Sequence, residues 1–324
     1  MTSSSSHCLG EARVIFDGPC ELGEGPSWDA LRGEYRWLDI LGKRLHRYRL
    51  DDGSHDSQAL DELTSFAAPL TSGDDLLVTE SGLKERDHAH GQISPWREVE
   101  ADNPVTRSND ARIDRHGGLW FSTMGKAAEP GAGSLYRLYR GQITCLKRGM
   151  SIPNALCFSP DGRLGYFTDT VTGVVMRWSL DAQGFPLRAD GNSFLQGGEP
   201  AAPEALIAPE PWADFSGDVG NPDGAVIDAE GYMWLALWGS GRVARLSPTG
   251  EEVCHISVNA EQPSCPAFGG HHLTQLLITT ATEGQSPAAG EQAPSRRDGA
   301  IFLFDLAEAL PGVRGLVEPP IALR

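Results

Sequence analysis

The stretch Asn109-Asp-Ala-Arg-Ile-Asp-Arg-His-Gly-Gly-Leu-Trp-Phe-Ser-Thr123 is repeated in outline by Asp223-Gly-Ala-Val-Ile-Asp-Ala-Glu-Gly-Tyr-Met-Trp-Leu-Ala-Leu237. Each copy starts with a polar residue, passes through a turn that contains glycine, and ends in a burst of aromatic and aliphatic residues. Four further copies of this pattern occur in the chain. The six bursts centre near Leu38, Val78, Phe121, Phe167, Leu235 and Ile278.

The spacing of these bursts is nearly constant. The intervals between their centres are 40, 43, 46, 68 and 43 residues. Within each repeat, short apolar runs are bounded by turn residues, which predicts strands and hairpins rather than helices. Four strands at a period of about 40–45 residues are typical of a propeller blade. The sequence therefore predicts an all-β protein, a six-bladed β-propeller with four-stranded blades.

The two ends of the chain are expected to meet in the last blade. The run Ala12-Arg-Val-Ile-Phe16 precedes the first repeat, and a strand there completes the last sheet and covers its edge. We predict a disordered tail over residues 1–10 and a single propeller domain over residues 11–324. The 68-residue interval indicates an inserted surface loop at about 191–219, and the Gly- and Ser-rich segment 282–298 indicates a second one.

Charge and composition exclude several classes of partner. The net charge of −17 argues against nucleic acid and against anionic membrane surfaces, both of which require basic patches. No apolar run approaches the length of a membrane span. The first seven residues lack the apolar core of a secretory signal, and six cysteines are too sparse for a disulfide framework. We expect a cytoplasmic protein, a monomer or a weak dimer, that binds a small molecule.

Four polar residues occupy the same phase of four different repeats: Glu24, Asn109, Asn154 and Asp223. The first strand of each propeller blade lines the central channel, so residues of equal phase converge on the axis. Carboxylate and amide oxygens around such a funnel suit a hard divalent cation. For each residue taken alone, a turn or strand-capping role is the alternative, because Asn and Asp favour such positions.

Arg107 lies two positions before Asn109, so both side chains point the same way from an extended segment. Its guanidinium at the channel mouth would either bind hydroxyl or carboxylate oxygens of a ligand or form a surface salt bridge. The sequence leaves both interpretations open. Histidines in turns or polar stretches away from this ring are interpreted as structural or surface residues, namely His88, His90, His116, His271 and His272.

Several motifs, taken together, resemble a known family. They are Leu22-Gly-Glu-Gly-Pro-Ser-Trp28, Arg107-Ser-Asn-Asp110, Pro153-Asn-Ala-Leu156, Pro222-Asp-Gly224 and Cys265-Pro-Ala-Phe-Gly-Gly270. Spread over roughly residues 12–306, they resemble the family that includes senescence marker protein (regucalcin), gluconolactonases and luciferin-regenerating enzyme.

The resemblance implies a propeller with one divalent metal ion in the channel, bound by Glu24, Asn154 and Asp223. It also implies that Arg107 and Asn109 contact the substrate and that Asp223 is the general base. Ca²⁺ is the first expectation for the metal, and Zn²⁺, Mn²⁺ and Mg²⁺ also accept oxygen ligands. The expected reaction is hydrolysis of a sugar lactone, with a metal-polarised carbonyl and Asp-assisted attack of water.

Two other functions fit the same scaffold. One is a regucalcin-like calcium-binding protein with little catalysis. The other is an esterase or organophosphate hydrolase, which needs a more apolar pocket, and Trp212, Trp238 and Phe268 are candidates for lining one. A propeller that serves only as a docking platform is disfavoured by the channel carboxylates.

The pocket walls are the least transferable part of the resemblance. The segments 124–134 and 238–241 follow second strands on the ring face and are expected to shape the pocket. Ala111 stands where the family often has glycine. The identity of the lactone therefore does not follow from the motifs.

Overall fold

The chain folds into six sheets arranged around a central channel. The computed structural model describes residues 6–190, 192, 194–196, 199–200, 202–218, 220–285 and 296–323. Each sheet is a blade of four antiparallel strands, and one blade carries an additional parallel strand. The predicted six-bladed, all-β propeller is confirmed.

The strands follow one another through the blades in chain order. Two strands precede the first blade: β1 (His7–Glu11) and β2 (Arg13–Phe16). Blade 1 contains β3 (Gly23–Asp29), β4 (Glu34–Asp39), β5 (Arg44–Arg49) and β6 (His55–Ala59). Blade 2 contains β7 (Thr64–Pro69), β8 (Asp75–Thr79), β9 (Gly82–Arg86) and β10 (Ile93–Glu98). Blade 3 contains β11 (Thr106–Ile113), β12 (Leu119–Gly125), β13 (Gly133–Tyr139) and β14 (Gln142–Met150).

The second half of the chain forms the other three blades. Blade 4 begins with β15 (Pro153–Phe158), β16 (Leu164–Asp169) and β17 (Val174–Ser179). A short pair, β18 (Leu195–Gln196) and β19 (Glu199–Pro200), precedes its outer strand β20 (Glu210–Asp214). Blade 5 contains β21 (Asn221–Ile227), β22 (Met233–Trp238), β23 (Arg242–Leu246) and β24 (Glu252–Ser257). Blade 6 contains β25 (Pro263–Gly269), β26 (Gln275–Thr280) and β27 (Ile301–Asp305).

Helices are a minor part of the described chain. One α-helix, α1 (Leu306–Ala309), follows the last blade, and 3-10 turns occur at Thr170–Thr172 and Pro203–Ala205. No helix in the ranges given above is both long and apolar enough to cross a membrane.

The aromatic-aliphatic bursts form the second strands of the blades. All six burst centres are at most 2% exposed, as the values for Leu38, Val78, Phe121, Phe167, Leu235 and Ile278 show. Neighbouring blades cover these strands on both faces, which explains why their sequences are continuously apolar rather than alternating.

The closing strand is the one predicted from the sequence. β2 pairs antiparallel with β27, with Arg13 opposite Leu303 and Val14 opposite Phe302. β2 is thereby the fourth strand of blade 6 and joins the start of the chain to its last repeat.

The prediction of a disordered tail over residues 1–10 is wrong for part of that segment. His7–Glu11 forms β1, which pairs in parallel with β24, His7 lying opposite Cys254. An outer strand offers unpaired backbone groups, and β1 satisfies them through the main chain. Its side chains are largely exposed, so no apolar pattern marked it as a strand. Residues 1–5 lie outside the described residues.

The expected insert at 191–219 also needs correction. Its residues 210–214 form β20, which pairs with β17 and completes blade 4. The excess length therefore lies between the third and fourth strands of a blade. Parts of this segment, and residues 286–295 of the second expected loop, lie outside the described residues.

The C-terminal segment crosses the end of the channel where first and second strands are joined by turns. Gly315 N donates to Leu273 O (2.8 Å) in blade 6, and Arg115 Nη1 in blade 3 donates to Val317 O (2.9 Å). Thr71 N in blade 2 donates to Ile321 O (2.9 Å). The segment ties these blades together and covers this end of the channel.

Blade 3 contains a buried ion pair below the turn between its first two strands. Asp114 Oδ2 accepts hydrogen bonds from Trp120 Nε1 (3.0 Å) and from Arg137 Nε (2.7 Å). Asp114 Oδ1 accepts from backbone N–H groups of the turn, including Gly118 N (2.9 Å). The same arrangement recurs in blade 5 with Asp228, Trp234 and Arg245.

An aromatic cluster attaches the closing strand to blade 1. The ring centroid of Phe16 lies 4.3 Å from that of His55 and 5.5 Å from that of Trp37. His46 Nδ1 and His55 Nε2 are 3.0 Å apart and share a hydrogen bond. Burial, and secondarily the neighbouring charge of His55, lowers the pKa of His46 to about 4.

We predict that Asp114→Ala strongly destabilises the protein. The guanidinium of Arg137 is fully buried, and without Asp114 it lacks its carboxylate partner. Removing one partner of a buried ion pair lowers the free energy of unfolding by about 3–5 kcal/mol. Denaturant titration measures this change. Asp56→Ala, which removes the exposed pair with Arg47, is the control and should change it by less than about 1 kcal/mol. Equal effects of the two substitutions would contradict the prediction.

A second prediction concerns acid. Because the pKa of His46 is lower in the folded chain than the ordinary 6.5, the unfolded state binds more protons between pH 6.5 and 4. The contribution of this histidine is fully present above pH 6.5 and decreases as the pH falls. We expect the titration of His46 to lower the free energy of unfolding by about 2 kcal/mol between pH 7 and pH 4.5.

The acid prediction is checked by comparing pH profiles of stability. His46→Gln should show a shallower decrease than the wild type, because glutamine does not ionise. His272→Gln, at an exposed position, should keep the wild-type slope. Parallel profiles for wild type and His46→Gln would count against this account.

Candidate active site

The first strand of each blade is interrupted by a bulge where the polar residues lie. In four blades the register shifts at Glu24–Ser27, Ser108–Ala111, Asn154–Cys157 and Pro222–Ala225. A bulge bends its strand and redirects the neighbouring side chains. The bulges therefore turn residues that share one phase in the sequence toward one point on the axis.

Gly25 shows what the bulge in blade 1 requires. Its backbone φ of 53° lies in the left-handed region, which glycine adopts without strain. A Cβ atom at this position would also collide with the carbonyl oxygen of Ser65 in blade 2. The N–H of Gly25 donates to Glu24 Oε2 (3.0 Å), so the bulge orients the Glu24 carboxylate.

A cavity of ≈ 480 Å³ opens at the end of the channel where these bulges lie. All five residues singled out from the sequence line it, namely Glu24, Arg107, Asn109, Asn154 and Asp223. Each is at most 8% exposed, so the polar atoms are held inside the propeller rather than on its surface. Arg107 is therefore a cavity residue and not part of a surface salt bridge.

A chain of hydrogen bonds fixes the amides of the cavity. Arg107 Nη1 donates to Asn109 Oδ1 (2.8 Å), and Asn109 Nδ2 donates to Asn154 Oδ1 (2.8 Å). Asn154 Nδ2 donates to Thr170 Oγ1 (2.9 Å), whose hydroxyl donates to Pro222 O (2.8 Å). The chain runs from blade 3 through blade 4 to the residue preceding Asp223, so three blades share one rigid arrangement.

The protein compensates the charges of two cavity carboxylates, those of Glu24 and Asp223, only poorly. Among the described residues, the Glu24 carboxylate accepts a hydrogen bond only from Gly25 N, and none reaches that of Asp223. Burial raises the pKa of both groups. The charge of Asp110 raises the pKa of Glu24 further, and the charge of Glu24 raises that of Asp223.

A second layer of charge lies below the cavity. Asp110 is buried and accepts a hydrogen bond from Leu156 N (2.8 Å). Arg112, also buried, donates to Glu318 Oε1 (3.1 Å) in the C-terminal segment and to Ala225 O (3.2 Å). This guanidinium partly balances the negative charge of the site from underneath.

The donor set fits a divalent cation. The described residues contain no group of three or more His, Cys, Asp or Glu side chains placed to hold a metal ion, whereas this cavity combines two carboxylates with an amide oxygen. Two buried carboxylates whose pKa values are both raised gain most from a shared cation. Asn154 Oδ1 accepts one hydrogen bond and keeps a second lone pair. Oxygen donors of this kind match hard cations.

The family model described as "SMP-30/Gluconolactonase/LRE-like region" matches residues 22–282. The chain belongs to this family.

Relatives from bacteria match over nearly their whole length. The 6-deoxy-6-sulfogluconolactonase of Pseudomonas putida is 33% identical over 318 residues, covering 96% of this chain and 98% of that protein. The L-arabinolactonase of Azospirillum brasilense is 32% identical over 312 residues, covering 94% of both. A crystal structure of a calcium-binding protein, regucalcin, from Agrobacterium tumefaciens superposes with a TM-score of 0.85 at 36% identity, covering 97% of this chain and 99% of that one.

Several cavity residues were not identified from the sequence, among them Lys126, Thr170 and Glu283. Thr170 directly follows β16, and its hydrogen bond with Asn154 is seen only in the folded chain. Lys126 lies in the segment 124–134, which was expected to shape the pocket. Glu283 lies in the second loop, which was expected to be a surface excursion.

The residues excluded by sequence reasoning do lie elsewhere. His271 Nε2 is 2.9 Å from Asp51 Oδ1 at the surface, and His116 Nε2 is 3.1 Å from Gly162 O in a turn. Of the three aromatic candidates for an apolar pocket, Trp238 lines the cavity, while Trp212 and Phe268 do not.

Proposed function

We propose that this protein hydrolyses a sugar lactone in a reaction that depends on a divalent cation. The observation that carries the proposal is the pair of buried, only partly compensated carboxylates, Glu24 and Asp223, in one cavity with Arg107 and Asn109. Membership of the family and relatives named as sugar lactonases support the choice of substrate.

Glu24, Asn154 and Asp223 would hold the cation. When bound, the cation supplies Lewis-acid polarisation of the lactone carbonyl and stabilises the negative charge that develops on its oxygen. The hydrogen bond from Gly25 N to Glu24 and the contact of Thr170 with Asn154 keep two of these ligands oriented.

Asp223 acts on the attacking water. Its carboxylate is buried in the cavity beside Arg107 and Asn109, where it can accept a proton from a water molecule next to the bound substrate. The carboxylate accepts a proton from water as the water oxygen bonds to the carbonyl carbon. The ring C–O bond then breaks, and the proton passes to the leaving ring oxygen, which yields the hydroxy acid.

Arg107 and Asn109 position the substrate. Arg107 donates from Nη1 to Asn109 Oδ1 and to Ser108 O, and within the described residues Nε and Nη2 have no hydrogen-bond partner, so both can donate to substrate oxygens. Because its side chain is buried and held by Asn109, the guanidinium is already ordered before substrate binds, which reduces the entropy lost on binding.

A second candidate function is calcium binding with little catalysis, since the similar Agrobacterium protein is described as a calcium-binding protein. An esterase with an apolar pocket is less favoured, because only Trp238 of the three aromatic candidates lines the cavity, and five charged side chains line it as well.

Replacing Asp223 tests the two roles assigned to it, as a cation ligand and as the proton acceptor. Asp223→Asn removes the proton acceptor at nearly constant volume, so we expect kcat to fall by at least about 100-fold. The circular dichroism spectrum and the thermal midpoint should stay close to those of the wild type. Asp56→Asn, an exposed substitution in blade 1, is the control and should retain full activity. Near-normal turnover by Asp223→Asn would rule out the assigned role.

Removing divalent cations tests the metal requirement. We expect chelated protein to lose turnover of an aldonolactone panel, measured by proton release, and at least one of Ca²⁺, Zn²⁺, Mn²⁺ and Mg²⁺ to restore it. Full activity after chelation would contradict metal dependence. Calorimetric binding of Ca²⁺ without turnover of any lactone would favour the calcium-binding function instead.

A further inference from the structure

Glu283 enters the cavity from an element outside the repeat pattern. It follows β26 of blade 6, and its backbone is tied down on both sides. Thr282 N donates to Glu21 O (3.1 Å), and Gln262 Nε2 donates to Glu283 O (3.2 Å). Gln285 N donates to Thr282 O (3.0 Å), which closes a turn around Glu283. The side chain therefore starts from a fixed point on the cavity wall.

The carboxylate of Glu283 has acceptor capacity that the protein does not use. Within the part of the chain that the structure describes, no donor reaches it. Among the cavity carboxylates, Glu283 is the strongest electrostatic neighbour of Arg107, since its charge opposes the burial-induced decrease in the pKa of Arg107 more than the charges of Glu24 and Asp223 do. Glu283 thus lies beside the group assigned to substrate binding.

The rest of the cavity mouth complements this acceptor. Lys126 belongs to blade 3, three blades away from blade 6 and hence on the other side of the channel. Its Nζ lies 2.6 Å from Glu80 Oε2, and an ammonium group has three donors, so two remain for a ligand. Leu22, Met124 and Trp238 form an apolar part of the wall. Acceptor, donors and an aromatic surface together suit a ring that carries several hydroxyl groups.

We propose that Glu283 is a specificity-determining residue whose carboxylate accepts hydrogen bonds from ring hydroxyls of the lactone, so that the cavity selects polyhydroxylated lactones over unsubstituted ones. This inference rests on the proposed hydrolysis of a sugar lactone. A lactone without hydroxyls has no donor for this acceptor and gains nothing from Glu283, whereas a hydroxylated ring gains a hydrogen bond to a charged group.

The test compares two lactones of one ring size on the wild type and three variants. The substrates are the best aldonolactone of the panel and the unsubstituted lactone with the same ring. For Glu283→Ala we expect kcat/KM on the aldonolactone to fall by about 10- to 100-fold, mainly through KM, because a hydrogen bond to a charged group is lost. On the unsubstituted lactone, kcat/KM of Glu283→Ala should stay within about threefold of the wild-type value.

Two further variants separate hydrogen bonding from structure. Glu283→Gln keeps an acceptor oxygen without the charge, so it should recover part of the loss on the aldonolactone. Glu261→Ala removes an exposed glutamate paired with Arg296 and should behave as wild type on both substrates. Equal losses on both lactones for Glu283→Ala, or no loss on either, would overturn the proposal.

A binding measurement distinguishes failure of this inference from failure of the proposed function. If the wild type hydrolyses no lactone, the proposed function fails. Calorimetric titration with 1,5-anhydroglucitol, a ring with the same kind of hydroxyl groups but no ester, still tests Glu283. Binding by wild type that weakens at least about tenfold in Glu283→Ala supports the role in hydroxyl recognition, and equal binding, or no binding by either protein, overturns it.

Discussion

Closure of the ring is the constraint on which the rest of the molecule depends. Six sheets enclose a channel only if the last blade is joined to the first part of the chain, and β2 provides this join by pairing with β27. β1 extends blade 5, and the C-terminal segment links blades 2, 3 and 6 on the far side. Because the cavity residues come from blades 1, 3, 4 and 5, and Glu283 from blade 6, any opening of the ring would separate them.

Inside the closed ring, several buried carboxylates lie close together. Glu24, Asp223 and Asp110 lie within one region, and burial raises the pKa of all three. Arg107 beside them and Arg112 below them compensate only part of this charge. A site that leaves negative charge unbalanced is poorly suited to a merely structural core, where apolar groups would be more stable. It is well suited to a divalent cation, which is why the proposed chemistry and the electrostatics of the fold point in the same direction.

Rigidity of the site comes in part from hydrogen bonds between blades. The bond from Asn109 to Asn154 joins blades 3 and 4, and the bond from Thr170 to Pro222 O joins blades 4 and 5, across 45 and 52 residues of chain. The bulges at the starts of the first strands orient the polar side chains toward the axis. At Gly25 the bulge requires a left-handed backbone and leaves no space for a Cβ atom beside Ser65. The buried ion pairs of Asp114 and Asp228 hold the opposite ends of blades 3 and 5.

The repeat period and the phase of the polar residues, both readable in the sequence, determined the propeller, its closing strand and the convergence of Glu24, Arg107, Asn109, Asn154 and Asp223. This worked because a repeated unit places equivalent residues at equivalent points of a closed ring. Only the tertiary structure decided the roles of β1, β20, Lys126 and Glu283. These lie in tails and connections that do not share the period, and their positions are set by backbone hydrogen bonds and packing against distant segments, which leave no pattern in the local sequence.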